Sequence, residues 1–589
     1  MPHRAHLFSL RIGHALRECV FESDYKLESL FKDLMAGISV GIIAIPLSMA
    51  LAIASGVAPQ YGLYTAFIAG CLIPLSGGSR YSISGPTAAF VVILYPVVQQ
   101  FGLSGLLVSS IMAGIMLILM AILRLGRYIE YIPSAVTLGF TAGIAVVIAI
   151  LQVENFFGLN VDPMPEHFTE KVLALFEALP NYTGNELWIG SLTLLVLLLW
   201  PKLKTPVPAH LPAVITGSIA AFIMNESGAG IETIGSTFSF ILPDGSIGKG
   251  IPAMLPDFQW PWLRTQGGED GLVWNWKVVQ ELLSAAFAIA MLGAIESLLC
   301  AVVLDEMSGK KHSANSELLG QGIGNVITPF FGGITATAAI ARSAANFKAG
   351  AQSPLAGIIH AFVVLLALVS LSSFLSFLPM ASMAALLLIV AWNMSEAPKA
   401  VQLFRNAPIS DIAVFTTCFV LTVLFDMVIA ITAGIVLASL LFMKQIADMT
   451  LVRDMTLNKK LVDVELPKGW RVYKVNGPLF FAAAERVFGE LLHHCHEVRG
   501  IVIYLDAVSI MDAGGVTALN RFIDLCAQNN TRLILADFQF QPLKTLARSN
   551  FMPDSEVCKI SPTLKEALQD LSSKDCFGTS DHNDRGTRK

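Results

Sequence analysis

Long apolar runs follow one another between Leu34 and Met443, and only short polar breaks separate them. A helix needs about 20 apolar residues to cross a bilayer, and only helices and closed barrels satisfy every backbone N–H and C=O group there. Charged residues make up 14% of the 589-residue chain, well below the roughly 25% of soluble proteins. The sequence therefore predicts an α-helical polytopic membrane protein with 14 transmembrane segments. The predicted spans are 34–55, 60–76, 85–100, 103–124, 132–153, 187–200, 210–225, 279–301, 314–330, 335–347, 354–375, 379–394, 408–425 and 427–446.

The distribution of Lys and Arg predicts the orientation of these spans, because both accumulate in cytoplasmic loops. If the N-terminus is cytoplasmic, the loops on that side hold Arg80, Arg124, Arg127, Lys202, Lys204, Lys310, Lys311, Lys348, Lys399 and Arg405. The two long loops on the other side, 154–186 and 226–276, are poor in Lys and Arg and carry mainly Asp and Glu. We therefore expect a multi-pass protein of the bacterial inner (plasma) membrane, in contact with membrane lipid, with both termini in the cytoplasm.

After Lys444 the composition becomes that of a soluble protein. Strands alternate there with helices, which predicts a small cytoplasmic α/β domain with a central sheet. The predicted strands are Leu461–Leu466, Trp470–Val475, Gly500–Asp506 and Thr531–Asp537, and the predicted helices are Ala482–His494, Gly514–Gln528 and Pro542–Ser549. The predicted organisation is a cytoplasmic N-terminal segment without a cleavable signal (1–33), a transmembrane domain (34–446), a linker (447–460), the α/β domain (461–572) and a disordered tail (573–589).

Composition argues against several other classes of protein. The eight cysteines lack C-x-x-C spacing, so we predict no disulfide framework and no zinc site. The net charge of −5 argues against a nucleic-acid partner. The α/β tail contains no Gly-rich phosphate loop, catalytic-triad spacing or metal motif. We therefore expect neither an enzyme nor a bound cofactor or metal.

Two similar stretches interrupt the apolar pattern, at 77–89 and 332–342. Each has a Gly-Gly break followed by small and hydroxylated residues, and each precedes the third span of a set of seven. Interrupted segments at matching positions in two halves are typical of transporter binding sites. A half-helix that begins inside the membrane leaves free N–H groups and a partial positive charge at its N-terminus, which suits an anion. Pro86 suits an early helical position there.

The candidate anion-binding residues in these two stretches are Ser84, Gly85, Thr87, Ala88, Thr337, Ala338 and Ala339. Their small side chains would let a ligand approach the backbone. The alternative is close helix packing, which also selects small residues.

Several other polar side chains fall within or beside the predicted spans. Glu296 is the only charge in 285–301, where a charge costs ~2.5–3.5 kcal/mol at mid-bilayer. It is either a proton-coupling group beside the substrate or a structural carboxyl bonded to a neighbouring helix. Arg342 either lends positive potential to an anion or extends to the cytoplasmic edge. Ser48 either contacts substrate or bonds another helix. Glu130 is interpreted as an interfacial charge and Asp426 as an outer surface or gating residue.

Several stretches taken together resemble the sulfate permease (SulP) family of anion transporters. They are Ser84–Ala88, Gly293–Leu299 and Thr335–Asn346, with Pro46 and Ser48 in the first span. The tail resembles the STAS domain of that family, and the likeness covers about residues 30–570. It implies a 7+7 inverted repeat, in which a core domain of spans 1–4 and 8–11 moves against a gate domain. It also implies a homodimer and a substrate held between the half-helix starts. The family's acidic position in the eighth span falls on Glu296, and its arginine after the second half-helix falls on Arg342.

The chain departs from the family pattern at three places. Some members bind sodium through a hydroxyl residue one turn after the acidic position, where this chain has Cys300. Proton coupling is therefore favoured over sodium coupling. The serine often found before the family arginine is Ala341 here. The STAS loop Asp512–Gly515 lacks the phosphorylatable hydroxyl of many STAS domains, which favours a docking or dimer-supporting role.

Within the family, this chain resembles bacterial carriers of C4-dicarboxylic acids in the stretches 56–66, 84–96, 290–305, 330–346 and 424–431. The expected function is uptake of succinate, fumarate or aspartate with protons, by alternating access. Sulfate or bicarbonate transport by the same fold is the alternative, because helix dipoles do not separate one small anion from another. An alternative of another class is a membrane sensor or scaffold whose STAS domain binds a cytoplasmic protein.

Overall fold

The structure is a computed structural model that describes residues 10–22, 25–129, 131–161, 165, 168–203, 205, 207–241, 247–265, 272–425, 427–495, 498–551 and 556–572. The predictions for Glu130, Asp426 and the tail 573–589 lie outside these residues. The chain divides into two units, Met1–Ile435 and Val436–Lys589.

The first unit is almost wholly helical. Its helices are α1 (His14–Leu16), α2 (Leu27–Ala54), α3 (Pro59–Ser76), α4 (Ala88–Ile122), α5 (Gly126–Ile129), α6 (Ser134–Leu151), α7 (Val153–Phe157), α8 (Phe168–Ala178), α9 (Gly184–Leu199), α10 (His210–Glu226), α11 (Ile234–Thr237), α12 (Trp276–Ser308), α13 (Ala314–Ile327), α14 (Ile340–Lys348), α15 (Leu355–Leu375), α16 (Met380–Met394), α17 (Ala397–Asn406) and α18 (Ile409–Leu424). Helix α19 (Met427–Asp448) begins in this unit and continues into the second. Its short strands are β1 (Ser84–Gly85), β2 (Ser239–Ile241), β3 (Ile247–Lys249) and β4 (Thr337–Ala338).

The helices confirm the predicted polytopic α-helical architecture. Within the described ranges, eight helices are long and apolar enough to cross a membrane. Shorter helices occupy the remaining predicted spans. Helical segments at the predicted positions, counted over the described residues, are α2, α3, the two halves of α4, α6, α9, α10, α12, α13, α14, α15, α16, α18 and α19.

Helix α4 contains two predicted spans that the structure joins at Gly102. The backbone of Gly102 has φ 62° and ψ −169°, a conformation that glycine adopts without the steric penalty of a side chain. The helix therefore bends sharply there, and its first half, 88–101, is short. This first half begins deep in the protein, where the interrupted stretch 77–89 ends.

The described part of the N-terminal segment lies against the end of α3. The Gly13 N–H donates to the Ser76 carbonyl at 2.8 Å, and Glu18 forms an ion pair with Arg80 at 2.5 Å. Burial lowers the pKa of the His14 imidazole, which lies in the same segment. The segment is thus fixed beside the Gly-Gly turn that follows α3.

The membrane helices pack in two groups. One group, here called the core bundle, comprises α2, α3, α4, α12, α13, α14 and α15. The other, the gate bundle, comprises α6, α9, α10, α16 and α18. Helices α4 and α2 of the core bundle also contact α6 and α16 of the gate bundle. For the predicted spans other than the last, α19, the grouping matches the division that the family resemblance implies.

The second unit contains a five-stranded sheet in the order β5-β6-β7-β8-β9. Strands β5 and β6 pair antiparallel, whereas the other neighbours pair parallel. Parallel pairs need helical crossovers, and these are provided by the alternating helices. The elements are β5 (Leu451–Asp454), β6 (Trp470–Asn476), α20 (Phe481–Cys495), β7 (Gly500–Ala507), α21 (Ala513–Gln528), β8 (Arg532–Ala536), α22 (Phe540–Arg548), β9 (Cys558–Ser561) and α23 (Leu564–Ser572).

Alternating side chains of the central strands supply two hydrophobic cores, one on each face of the sheet. Ile501 and Ile503 lie in the core that contains α20 and α21, whereas Val502 lies in the core that contains α23. This three-layer arrangement confirms the predicted α/β domain.

The first predicted strand of this domain is wrong. Leu461–Leu466 forms turns and irregular chain, and its apolar side chains pack against the core beside α23. The edge strand is instead β5, which comes from the stretch 447–460 predicted as a linker. A run of alternating apolar residues does not distinguish a strand from an irregular segment that covers one side of a sheet.

Candidate functional site

The two interrupted stretches meet as a two-stranded antiparallel ladder inside the core bundle. Ser84 pairs with Ala338 and Gly85 pairs with Thr337. The ladder continues through the Ala339 N–H, which donates to the Ile83 carbonyl at 2.9 Å. Strands β1 and β4 therefore lie side by side and run in opposite directions. The helices that follow them, α4 and α14, begin at neighbouring points.

Both helices begin without a side-chain cap in the described part of the chain. Thr87, at the N-cap of α4, has φ −127° and ψ 154°, and Ala339, at the N-cap of α14, has φ −92° and ψ 113°. Neither first turn contains an acidic residue. The first N–H groups of each helix are thus left to another acceptor, and both ends carry a partial positive charge.

Pro86 lies before α4 and not within it. The sequence predicted an early helical position, but the helix begins at Ala88 and Thr87 is its N-cap residue. The backbone of Thr87 is extended, so the helix begins two residues after Pro86, although the fixed φ of proline suited a helical position. The Pro86 carbonyl is consequently free to accept a hydrogen bond from another segment.

Helix α12 contacts both half-helix starts. The Thr87 hydroxyl donates to Glu296 Oε2 at 3.1 Å, and the Thr337 hydroxyl donates to the Gly293 carbonyl at 3.2 Å. Gly293 and Glu296 lie one turn apart on α12, so their polar groups share a face. Glu296 is partly exposed, whereas Thr337 is fully buried. Hydroxyl groups at both half-helix starts are therefore bonded to one face of α12.

Arg342, in the first turn of α14, folds back toward the start of α4. It is 2% exposed, and its Nη2 donates to the Pro86 carbonyl. Its Nε and Nη1 atoms are buried and have no hydrogen-bond partner within the described ranges. An added Cβ at Gly85 would lie 3.0 Å from Arg342 Nη1. Glycine at that position thus allows the guanidinium to cover the β1 backbone.

The remaining candidate residues have different environments. The Ser84 hydroxyl accepts a hydrogen bond from Gln321 Nε2 at 3.2 Å. Ala88 and Ala338 are buried and Ala339 is partly exposed, so small side chains border both helix starts. Ser48 lies in α2, where α3 packs closely on its backbone at Gly62. Its hydroxyl is fully buried and forms no hydrogen bond to any described residue.

One group of polar residues beside this site is not among the residues predicted from the sequence. Glu317, Gln321 and Asn325 of α13 are buried and bond the backbone or side chains of both interrupted stretches. Their spacing of four residues in a short apolar span was the available signal, because such residues lie on one helix face.

Known proteins match both units of the chain. Residues 30–420 match the sulfate permease family, and residues 462–567 match the STAS domain. YvdB of Bacillus subtilis (strain 168), provisionally named a sulfate transporter, is 39% identical over 528 residues, which cover 89% of this chain and 94% of that protein. The bicarbonate transporter BicA of Synechocystis sp. (strain ATCC 27184 / PCC 6803 / Kazusa) is 27% identical over 570 residues, covering 91% and 94% respectively.

Two solved structures are similar in fold. The transmembrane domain of a cyanobacterial bicarbonate transporter BicA aligns with a TM-score of 0.59 and 26% identity, covering 70% of this chain and 98% of that one. The murine anion transporter Slc26a9 in its inward-facing state aligns with a TM-score of 0.79 and 17% identity, covering 97% and 95%.

Proposed function

Because the chain belongs to the sulfate permease family of anion transporters, we propose that it takes up C4-dicarboxylates such as succinate, fumarate and aspartate together with protons. The anion binds between the starts of α4 and α14, where uncapped N–H groups and the Arg342 guanidinium supply positive potential. Thr87, Thr337, Ser84 and Ser48 are the hydroxyl residues proposed to border it.

The observation that carries this proposal is the hydrogen bond between Thr87 and Glu296 at 3.1 Å. It connects the one acidic side chain of this region of α12 to the N-cap residue of the first half-helix. A titratable carboxyl and a helix end suited to an anion are thereby coupled through a single hydroxyl group. Protonation of the Glu296 carboxyl can then change the affinity of the α4 N-terminus for an anion.

The coupling follows from the hydrogen bonds that Glu296 and Thr87 can donate and accept in each protonation state of Glu296. When Glu296 is ionised, it only accepts, and Thr87 donates its single hydroxyl hydrogen to it. When Glu296 takes up a proton, its O–H can donate to Thr87 Oγ1, and the Thr87 hydrogen becomes available to an anion. Protonation also removes a negative charge beside the anion. The proton and the anion therefore each raise the affinity for the other, as linkage requires.

A dicarboxylate matches the number of positively charged or polarised groups at the starts of α4 and α14. Two helix N-termini and the two unpartnered nitrogen atoms of Arg342, Nε and Nη1, can be shared between two carboxylate groups. A smaller inorganic anion, sulfate or bicarbonate, is the second candidate. It is supported by relatives whose names refer to transport of those anions.

The two-bundle architecture supports an alternating-access mechanism. The residues proposed to bind the anion lie on the core bundle, so movement of that bundle against the gate bundle would expose them to either side in turn. We further propose that the protein is a homodimer of the bacterial inner membrane with cytoplasmic termini. Its STAS domain would then support the dimer or dock a cytoplasmic protein.

Uptake of labelled succinate into proteoliposomes tests the function directly. We expect uptake that increases when the outer solution is made acidic, and competition by fumarate and aspartate. Stronger competition by sulfate or bicarbonate than by fumarate would favour the second candidate. Absence of uptake and of binding for all these anions, with folded protein, would instead favour a sensor or scaffold.

A further inference from the structure

Helix α13 carries three buried polar side chains on one face. Glu317, Gln321 and Asn325 are spaced by four residues and are 1%, 0% and 1% exposed. Residues at this spacing lie above one another along a helix. Buried polar groups are costly unless they are hydrogen-bonded, so their partners indicate what this face does.

Glu317 bonds the turn that leads into β1. Its Oε2 accepts the N–H groups of Gly78 and Ser79 at 3.0 and 2.9 Å, and its Oε1 accepts the Ser82 hydroxyl at 3.5 Å. These three donors lie within the first interrupted stretch. The carboxylate therefore fixes the path of the chain immediately before Ser84.

Asn325 bonds the corresponding position before β4. Its Nδ2 donates to the Ala336 carbonyl, and its Oδ1 accepts the Ala336 N–H, both at 2.8 Å. A side-chain amide supplies both a donor and an acceptor, so it can pair with both backbone groups of one residue. Asn325 thus fixes the residue directly before Thr337.

Gln321 lies between these two anchors and contacts the proposed anion site itself. Its Nε2 donates to Glu317 Oε1 at 3.0 Å and to the Ser84 hydroxyl oxygen at 3.2 Å. An amide NH₂ group cannot accept a hydrogen bond. Ser84 must therefore direct its own hydroxyl hydrogen elsewhere, and this hydrogen is available to an anion.

Small residues on the same side of α13 allow this close contact. A Cβ added at Gly320 would lie 2.5 Å from the Gly77 Cα, and one added at Gly324 would lie 2.4 Å from Ile73 Cγ1. Contacts this short are not found with real side chains, so α13 approaches α3 and the Gly-Gly turn only through these glycines. The two interrupted stretches are thus held by one rigid helix.

We propose that this face of α13 positions both half-helix starts for anion binding, and that Gln321 sets anion affinity by orienting the Ser84 hydroxyl. The inference rests on the proposed function, since it assumes that an anion binds between α4 and α14. Glu317, Gln321 and Asn325 are positioning residues in this scheme. Gln321 acts through Ser84, whereas Asn325 acts through the β4 backbone.

The variant Gln321→Glu tests the scheme, because it keeps the size of the side chain and replaces the donor with an acceptor. The Ser84 hydroxyl would then donate to the new carboxylate and be lost to the anion. We expect the KM for succinate uptake, and the Kd in equilibrium binding, to rise about tenfold with a smaller change in maximal rate. The same substitution in an S84A background should have a smaller effect, because only the repulsion by the added charge remains there and partners of one interaction are not additive.

Gln152→Glu is the matched control, since Gln152 is also buried at 3% exposure but lies at the end of α6 in the gate bundle. If Q321E does not fold, Asn325→Asp provides a second test, because it removes the Nδ2 donor to the Gln321 and Ala336 carbonyls and keeps the acceptor of the Ala336 N–H. The N325D protein should bind succinate more weakly and remain monodisperse in detergent. An unchanged Kd in the folded Q321E or N325D protein, or an equal effect of Q321E with and without Ser84, would overturn the inference. Failure of the wild-type protein to bind any tested anion would instead refute the proposed function.

Discussion

Replacing Gly85 with alanine tests how closely the Arg342 guanidinium approaches the ladder. The added Cβ would lie 3.0 Å from Nη1 and 3.5 Å from Nη2 of Arg342. The first distance is shorter than nearly all observed contacts of a Cβ atom. The arginine is flexible and the backbone of β1 is not, so we expect the guanidinium to move and the ladder to remain intact.

The magnitude follows from the contact that the guanidinium would lose with the anion. Hydrogen bonds to charged groups contribute about 1.5–3 kcal/mol, and about 1.4 kcal/mol corresponds to a factor of ten in affinity. Complete loss of this contact would weaken anion binding by about 10- to 100-fold, and the shift of a few tenths of an ångström that the added Cβ requires should remove part of it. Thermal stability should change little, because the hydrogen-bonded strands do not involve the side chain of residue 85.

The assay is equilibrium binding and uptake of labelled succinate by purified G85A, R342A and the double variant. The effects of G85A and R342A should not add, since both remove the same contact. Gly184→Ala is the matched control, because a Cβ at Gly184 would meet no atom within 4 Å. A normal affinity for G85A, or a further full loss in the R342A background, would refute the reasoning.

Three other predictions follow from contacts described above. Glu296→Gln should remove the dependence of succinate uptake on external pH, measured in proteoliposomes over an acidic to neutral range, and a retained dependence would exclude Glu296 as the coupling group. Thr87→Val should weaken this dependence more than Thr87→Ser does, because only serine keeps the hydroxyl that contacts Glu296. Asp512→Ala should destabilise helix α21 by about 1 kcal/mol, since Asp512 caps its N-terminus through a bond to the Gly515 N–H at 2.7 Å. Hydrogen exchange of residues 513–528 in the full-length protein should become faster than in wild type, and unchanged exchange there would contradict the capping role.

Much of the fold could be predicted from local patterns. Apolar runs of about 20 residues have few alternatives to a spanning helix. In the tail, the predicted Gly500–Asp506 and Gly514–Gln528 agree with β7 and α21 to within about a residue, because buried strands and amphipathic helices have distinct periods. The Gly-Gly breaks likewise marked the two interrupted stretches, since glycine and small residues disrupt an otherwise helical pattern.

Other features depended on contacts between distant parts of the chain. The Leu461–Leu466 stretch has a strand-like composition, but β5 occupies the sheet edge beside β6. Pro86 suited a helix start, but the pairing of Ser84 and Gly85 with β4 keeps the backbone extended until Thr87. In both cases the outcome was decided by pairing with another segment, which is about 20 residues away for β5 and about 250 residues away for β1.

The sequence by itself determined the class of this protein: its helices must satisfy their own backbone hydrogen bonds in the bilayer. It also determined which two stretches are interrupted and which residue types they present. Only the tertiary structure decided that these stretches pair across about 250 residues of chain, that Thr87 meets Glu296, and that one face of α13 bonds both. Those contacts depend on how helices pack and on which buried polar groups find partners, and neither is contained in local sequence patterns.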